Sequence, residues 1–316
     1  MTTFTRVRSR SVASFGERRL LAAIRRWLGD ATPPSPFGIG DDCAVLPASP
    51  RLQLVTTDPV IHGRHFDDTV PPRAVGAKLL KRNLSDIAAM GGRPVAAVLS
   101  LALAPETSLD WLRAFYRGLA GCARRHGVKI VGGDVTEGPP GFFGAFLTLH
   151  GVAAGRRVIT RSGAKEHDAI FVTGRLGGSR AGRHFNFTPR LDEGAWLAQQ
   201  PEVVAMMDVS DGIATDIESL TPRGLVASIW PPVVPVSRAA KAAARRSGRP
   251  DWVHALTDGE DYELLVVVGA KIDQARFLMR WFDRFKTPFQ PIGRFAREVA
   301  PGHVNWDRLH GYEHLR

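Results

Sequence analysis

Aspartates recur in five short motifs along the chain: GIGDDCAVLP at 38–47, TTD at 56–58, NLSD at 83–86, GGD at 132–134 and DVSDG at 208–212. All use Asp rather than Glu, and in three of them Thr or Ser stands beside the carboxylate. Hard divalent cations such as Mg²⁺ take oxygen ligands and bridge protein carboxylates to substrate phosphates, so short acidic side chains at strand and helix ends suit polyphosphate chemistry. Each motif alone also has a structural use. An Asp-Asp pair in a glycine-flanked turn bonds nearby N–H groups, Asn83 and Asp86 lie one turn apart on a helix flank, and Asp208, Ser210 and Asp211 suit a helix N-terminus. Five such sites in a basic chain favour the metal reading over five separate turns.

Familiar nucleotide signatures are absent. There is no GxxxxGK[ST] phosphate cradle and no HRD or DFG kinase motif. The glycine-rich VTGRLGGSRAG at 172–182 follows a strand-like segment and by itself specifies no ligand.

The elements that must position these residues alternate. Strand-like runs stand at 52–57, 94–103, 128–133 and 142–153, with TTD and GGD read as strand ends. Between them, PPRAVGAKLLKRNLSDIAAMGG opens on prolines and closes on glycines as a helix does, and SLDWLRAFYRGLAGCARRHG runs from a Ser start to a Gly stop. The second half repeats the pattern: DAIFVTG, GLVASIW and DYELLVVVG read as strands, and DGIATDIESL, SRAAKAAARRSG and IDQARFLMRWFDRF as helices. Such alternation predicts an α/β fold. The polar stretch AAGRRVITRSGAKEHD places a boundary near residue 156, giving domains 1–156 and 157–316.

A chain of 316 residues with 44% hydrophobic and 23% charged residues has the composition of a globular protein with room for two cores. The 42 Lys and Arg exceed the 31 Asp and Glu by 11, which favours anionic partners in general. The excess gathers at Arg6, Arg8, Arg10, Arg18, Arg19, Arg25 and Arg26, and again at Arg238, Lys241, Arg245, Arg246 and Arg249. Neither run interleaves aromatics in a stacking pattern, which argues against nucleic acid as the partner. Cys43 and Cys122 form no CxxC, so neither a zinc site nor a disulfide framework is expected and a reducing cytoplasm is the expected location. The longest apolar stretch, VAAVLSLALA, is too short to span a bilayer, and LLAAIRRWL reads as an amphipathic first helix.

Taken in order, GIGDDCAVLP, TTDPVIHGRHF, NLSDIAAMGG, GGDVTEGP, TRSGAKEHDAIFVTGRLGGSRAG, DVSDGIATDIESL and DGEDYELL resemble the thiamine-monophosphate kinase family. That family sits in a superfamily with aminoimidazole ribonucleotide synthetase, selenophosphate synthetase and a hydrogenase maturation protein. NLSDIAAMGG carries the superfamily; GRHF, GEDYEL and the closing GYEHL narrow it. The resemblance implies ATP-dependent phosphorylation of thiamine monophosphate to thiamine diphosphate, with several Mg²⁺ ions. It implies an α/β (α+β) fold of two domains, an N-terminal mixed sheet that dimerises into a β-barrel and a C-terminal α/β domain, in a homodimer.

Carried over by motif, the implied Mg²⁺ ligands are Asp42, Thr56, Thr57, Asp58, Asp86, Asp134, Asp208 and Asp211, with Asp41 as a supporting neighbour. Implied ATP contacts are Gly133, Asp134, Arg161 and Ser210, and His65 and Glu260 would hold the thiamine phosphate. A phosphate acceptor is already anionic, so no general base is required; charge neutralisation and in-line positioning suffice. Three departures touch the family pattern: Val135 where a second Thr is expected, Asp258 in place of a glycine, and Leu309 in place of an aromatic able to stack on the thiamine ring. They spare the acidic set and bear on the acceptor. A related superfamily enzyme with another small acceptor, or a catalytically silent nucleotide-binding protein, remain alternatives at this point; the lack of a reactive N-terminal cysteine or a terminal cysteine disfavours the selenophosphate and hydrogenase branches.

Overall fold

The computed structural model of the chain describes residues 1–35, 37–39, 43–309 and 311. Its backbone divides into two units, Met1–Ile87 with Arg93–Ala153, and Ala88–Gly92 with Ala154–Arg316.

The first unit holds a sheet of four strands, β1 (Gln53–Ile61), β2 (Gly92–Leu103), β3 (Lys129–Glu137) and β4 (Phe143–Ala153), in the order β1-β4-β2-β3. β1 and β4 are antiparallel and β2 and β3 parallel, so the sheet is mixed, with β1 and β3 at its edges. Among the described residues three α-helices accompany it: α1 (Glu17–Leu28), α2 (Pro72–Ala89) and α3 (Leu109–His126). α1 buries Leu20, Ala23, Ile24 and Leu28, the spacing of one helical face. At the start of α3 the Ser108 side chain accepts from the Trp111 N–H, and Gly127 closes the helix in the left-handed conformation. Gly76 of α2 and Gly118 of α3 allow a backbone-to-backbone approach. A Cβ on Gly76 would lie 2.0 Å from the Phe115 carbonyl oxygen, and one on Gly118 2.0 Å from that of Arg73.

Alternate residues of β4, among them Phe143, Ala145, Leu147 and Leu149, are buried. Phe143 meets Trp111 edge-on at 4.7 Å between ring centres, and Trp111 stacks on Phe66 at 5.6 Å. The opposite face of the sheet exposes Val55 (69%), Val98 (39%) and Phe146 (39%).

The second unit holds five strands, β5 (Ala169–Thr173), β6 (Val203–Asp208), β7 (Val226–Ile229), β8 (Leu264–Val268) and β9 (Phe289–Ala296), in the order β6-β8-β5-β9-β7. Its helices are α4 (Arg183–Asn186), α5 (Leu191–Leu197), α6 (Ile213–Asp216), α7 (Arg238–Ser247), α8 (Asp251–Thr257) and α9 (Gln274–Arg284). Every residue of β5 and β8 is buried because the sheet is covered on both faces. Ile170, Val172, Leu265 and Val267 pack with Ile213, Val253 and Leu256. Phe171 meets Phe289 at 5.1 Å, and Trp281 stacks on Phe289 at 4.3 Å.

The mixed α/β architecture with two sheets follows the expectation, but neither sheet closes into a barrel within one chain. The alternation of strands and helices in the second half conceals an antiparallel sheet: all its neighbouring strand pairs run antiparallel. TTD and GGD do not end strands. β1 continues to Ile61 and β3 to Glu137, since edge strands keep pairing after the apolar pattern stops, and an edge also accommodates Pro59. The helix expected over DGIATDIESL is α6 followed by a 3₁₀ turn at Ile217–Leu220, and β8 begins only at Leu264. Among the described residues no helix is long and apolar enough to cross a membrane.

Phe143→Ala removes the ring at the centre of the first unit's aromatic cluster and is expected to lower unfolding free energy by about 3–5 kcal/mol in a urea titration. A loss below about 1 kcal/mol would show that the cluster is not the core of that unit.

Candidate functional site

Alternation along β1 separates its acidic motif into two faces. Thr56 and Asp58 turn toward α2, where the Thr56 hydroxyl donates to Asp86 Oδ2 at 2.5 Å and Arg82 Nη2 donates to Asp58 Oδ1 at 3.1 Å. Arg82 Nη1 also donates to the Pro59 carbonyl at 2.8 Å. Thr57 lies on the other face: its hydroxyl donates to the Leu147 carbonyl at 3.1 Å and accepts from Thr148 Oγ1 at 3.3 Å. Lys78 is fully buried and donates to the His65 carbonyl at 2.9 Å. Lys78, Arg82 and Asp86 are thus four apart on one side of α2, and the first two were assigned no role from sequence. The signal was present in that spacing.

His65 Nδ1 accepts the Ile61 N–H at 3.1 Å. An Nδ1 that accepts places the proton of the neutral ring on Nε2. Gly133 and Asp134 lie within β3, where Asp134 is exposed and pairs with Ser100. Gly133 has φ 153, and a Cβ there would lie 2.0 Å from the Leu99 carbonyl oxygen, so the strand packs only with glycine at that position. Asp42 and its neighbour Asp41 lie outside the described residues.

In the second unit Asp208 is the buried last residue of β6, and Asp211 stands on the turn into α6. The carboxylate of Asp216, 5% exposed, accepts the N–H groups of Ser210 at 3.0 Å and Asp211 at 3.1 Å and so shapes the turn. Burial, with the charges of Asp208 and Asp211 added, pushes Asp216 up to about 8. Asp216 is a further acid that the motif reading passed over, although it stands within the same segment.

The turn is met by the loop before β8. Glu260 N–H donates to the Ser210 carbonyl at 2.6 Å, Tyr262 N–H to Val209 at 2.8 Å, and Val209 N–H to Glu263 at 2.9 Å. Ser210 and Glu260, expected on opposite substrates, are therefore backbone neighbours. Glu260 and Tyr262 have φ of 54° and 52°, conformations that cost energy outside glycine and concentrate at functional sites. The Glu260 carboxylate is placed by Tyr262, whose hydroxyl donates at 3.3 Å, and by His184 Nδ1 at 3.4 Å; Phe187 stacks on Tyr262 at 4.1 Å.

Behind this loop Glu263 is buried and accepts from Arg183 at 2.6 Å, from Arg190 at 2.7 and 2.8 Å, and from Thr173 at 2.8 Å. Asp261, also buried, accepts the Gly177 N–H at 2.8 Å, and burial pushes its carboxyl well above the usual range. The glycine-rich segment is laced to the same loop: Gly178 N–H donates to Asp258 at 2.7 Å and the Ser179 hydroxyl to the Gly259 carbonyl. Asp258 also meets His254 Nδ1 at 3.0 Å, one helical turn away. Two departures from the family pattern thereby acquire structural roles. Asp258 ties helix to loop, and Leu309 is buried in the core beside Ile213 and Val209. Arg161 is exposed on a segment held to β6 by the Met206 N–H donating to Thr160 at 3.0 Å. Among the described residues no three His, Cys, Asp or Glu side chains form a ready metal cage.

Residues 40–155 match the family model "AIR synthase related protein, N-terminal domain", so the mixed sheet and its acidic strands belong to that class. A thiamine-monophosphate kinase of Rhodopirellula baltica is 38% identical over 248 residues, 75% of this chain and 77% of its own. The solved thiamine-monophosphate kinase of Stenotrophomonas maltophilia is 31% identical, with a TM-score of 0.72 over 88% of this chain and 94% of its own. AaThiL complexed with AMPPCP and TMP is 28% identical, with a TM-score of 0.71 over 96% and 98%. The chain belongs to the thiamine-monophosphate kinase family.

Glu263→Ala leaves Arg183 and Arg190 without their buried counter-charge. It is expected to destabilise the second unit by about 3 kcal/mol in chemical denaturation, since removing one partner of a buried pair strands the other. An unchanged midpoint would show that the guanidinium groups find solvent without cost.

Proposed function

We infer that the chain transfers the γ-phosphoryl group of ATP to thiamine monophosphate, giving thiamine diphosphate. The observation that carries this reading is its identity to thiamine-monophosphate kinases over three quarters of the chain or more. A relative solved with AMPPCP and TMP supports the two substrates.

The donor set fits Mg²⁺. It offers carboxylate and hydroxyl oxygens only. Mg²⁺ is usually held by one or two carboxylates together with substrate phosphates and water, which suits acids spread over several elements. Asp42, Thr56, Thr57, Asp58, Asp86, Asp134, Asp208 and Asp211 are the residues that would hold it. Bound there, Mg²⁺ supplies charge neutralisation and an in-line template for the transferring group.

The remaining work belongs to the chain. Gly133, Asp134, Arg161 and Ser210 contact ATP, and His65 and Glu260, the latter placed by Tyr262 and His184, hold the thiamine phosphate. No residue is assigned as a base, and transfer is direct, without a phosphoenzyme. Residues 1–156 form the nucleotide-binding and dimerising domain and 157–316 the second domain. Two free thiols, Cys43 and Cys122, suit a reducing cytoplasm.

Two features support a homodimer. The uncovered face of the first sheet carries Val55, Val98 and Phe146, and the acids Asp58 and Asp134 stand on opposite edge strands of that sheet. Three strand spacings separate those edges by about 14 Å, too far for one phosphate group to be shared within a single sheet. A second copy that joins sheet to sheet brings the edges together.

The direct assay follows thiamine diphosphate formation from thiamine monophosphate and MgATP, against a control without magnesium. Product that disappears in the control is expected; retained ATP binding with no product would overturn the acceptor. Asp42→Asn and Asp58→Asn are each expected to lower turnover by about 10²-fold or more with the fold intact by circular dichroism. Near-normal turnover in either would remove that residue from the metal set. Co-expressed Asp58→Asn and Asp134→Asn chains are expected to regain activity in mixed dimers, each of which carries one unaltered site; no recovery would confine the site to one chain.

A further inference from the structure

The second unit contains a cavity of about 440 Å³ lined by none of the residues assigned above. It lies between Arg175 of the glycine-rich segment, the stretch 231–236, the first turn of α8, and Pro288 and Gln290 at the start of β9. Its volume is that of a small-molecule site. The walls are preformed. Pro231, Pro232, Pro235 and Pro288 fix the backbone and present flat apolar rings. Leu176 N–H donates to the Pro235 carbonyl at 2.7 Å, Ser237 N–H to Leu176 at 2.9 Å and Gly174 N–H to Pro288 at 2.7 Å, which ties three of the walls to one another.

The chemistry of the lining is selective. Trp252 contributes an aromatic surface, and the Gln290 amide is already engaged by the Val233 carbonyl. What remains for a ligand is charge. Arg175 and Lys241 are exposed at the cavity and form no ion pair among the described residues, and Asp251 in the first turn of α8 is its one carboxylate. Arg238, Lys241 and Arg245, spaced three and four apart on α7, extend the positive edge.

We propose that this cavity binds a phosphate ester of an amino-substituted heteroaromatic ring. The ring lies against Trp252 and the prolines, the phosphate meets Arg175 and Lys241, and Asp251 accepts from the ring's amino group. Nucleotides and thiamine phosphates share this chemistry. Arg175 is two residues from Gly177, whose N–H holds Asp261, so the cavity is linked through the glycine-rich segment to the loop that carries Glu260. Occupancy of the cavity does not depend on the kinase reading.

The test uses the full chain with its seven tryptophans replaced by 5-fluorotryptophan, the Trp252 ¹⁹F signal being identified by its loss in Trp252→Phe. AMP, thiamine monophosphate and inorganic phosphate are titrated separately. A saturable shift of the Trp252 signal is expected with one of the esters, at a Kd of roughly 0.1–1 mM. Arg175→Glu and Lys241→Glu, both at exposed positions, are each expected to weaken it by about tenfold or more while leaving the other tryptophan signals in place. The responding ester identifies the source. No shift with either ester, a shift that survives Lys241→Glu, or an equal response to inorganic phosphate alone would overturn the proposal. Kinase turnover of the Lys241→Glu protein, measured alongside, separates failure here from failure of the catalytic assignment.

Discussion

Glu263 is withdrawn from water and meets two guanidinium groups and a threonine hydroxyl, and its desolvation is offset only while those partners stay in place. The partners come from β5, from α4 and from the residue that opens α5, so one carboxylate gathers three parts of the second unit. The loop directly before it contains Glu260 and Tyr262 in left-handed conformations. A free loop would relax from that backbone; here it is clamped by Glu263 behind, by the turn at 209–210 on one side and by the glycine-rich segment on the other. The strain and the clamp are two sides of one arrangement that aims Glu260.

The first unit manages charge differently. Its acids are kept half-exposed on strand β1 and helix α2, with Arg82 beside Asp58 and the Thr56 hydroxyl on Asp86. These contacts orient the carboxylates. Lys78, buried one turn earlier, holds the backbone at His65, so the same helix that carries an acid also anchors the turn bearing the histidine. A chain with a net charge of +11 can concentrate acids here because its excess arginine lies elsewhere on the surface and attracts anionic substrates at longer range.

Asp258 and Leu309, two departures from the family pattern, are both tied into the second unit. Asp258 replaces a glycine but bonds the Gly178 N–H and His254, and Leu309 fills the core. Asp258 thus bears on how the loop is held, and Leu309 on the packing of the core.

Local sequence determined a good deal of this. The Ser108 start and Gly127 stop of α3, the apolar stripe of α1, the uninterrupted apolar runs of β5 and β8 and the acidic motifs themselves are properties of a few neighbouring residues, and backbone preference and amphipathic period are local quantities. The motifs in order were enough to indicate the family. Strand order and the antiparallel pairing of the second sheet were not legible, because alternating strands and helices do not encode which strands meet. Nor was the clamp on Glu263, whose arginines lie 73 and 80 residues away in sequence. Burial decided those contacts: a carboxylate takes partners from whichever elements the collapsed core brings beside it, and that juxtaposition exists only in the tertiary structure.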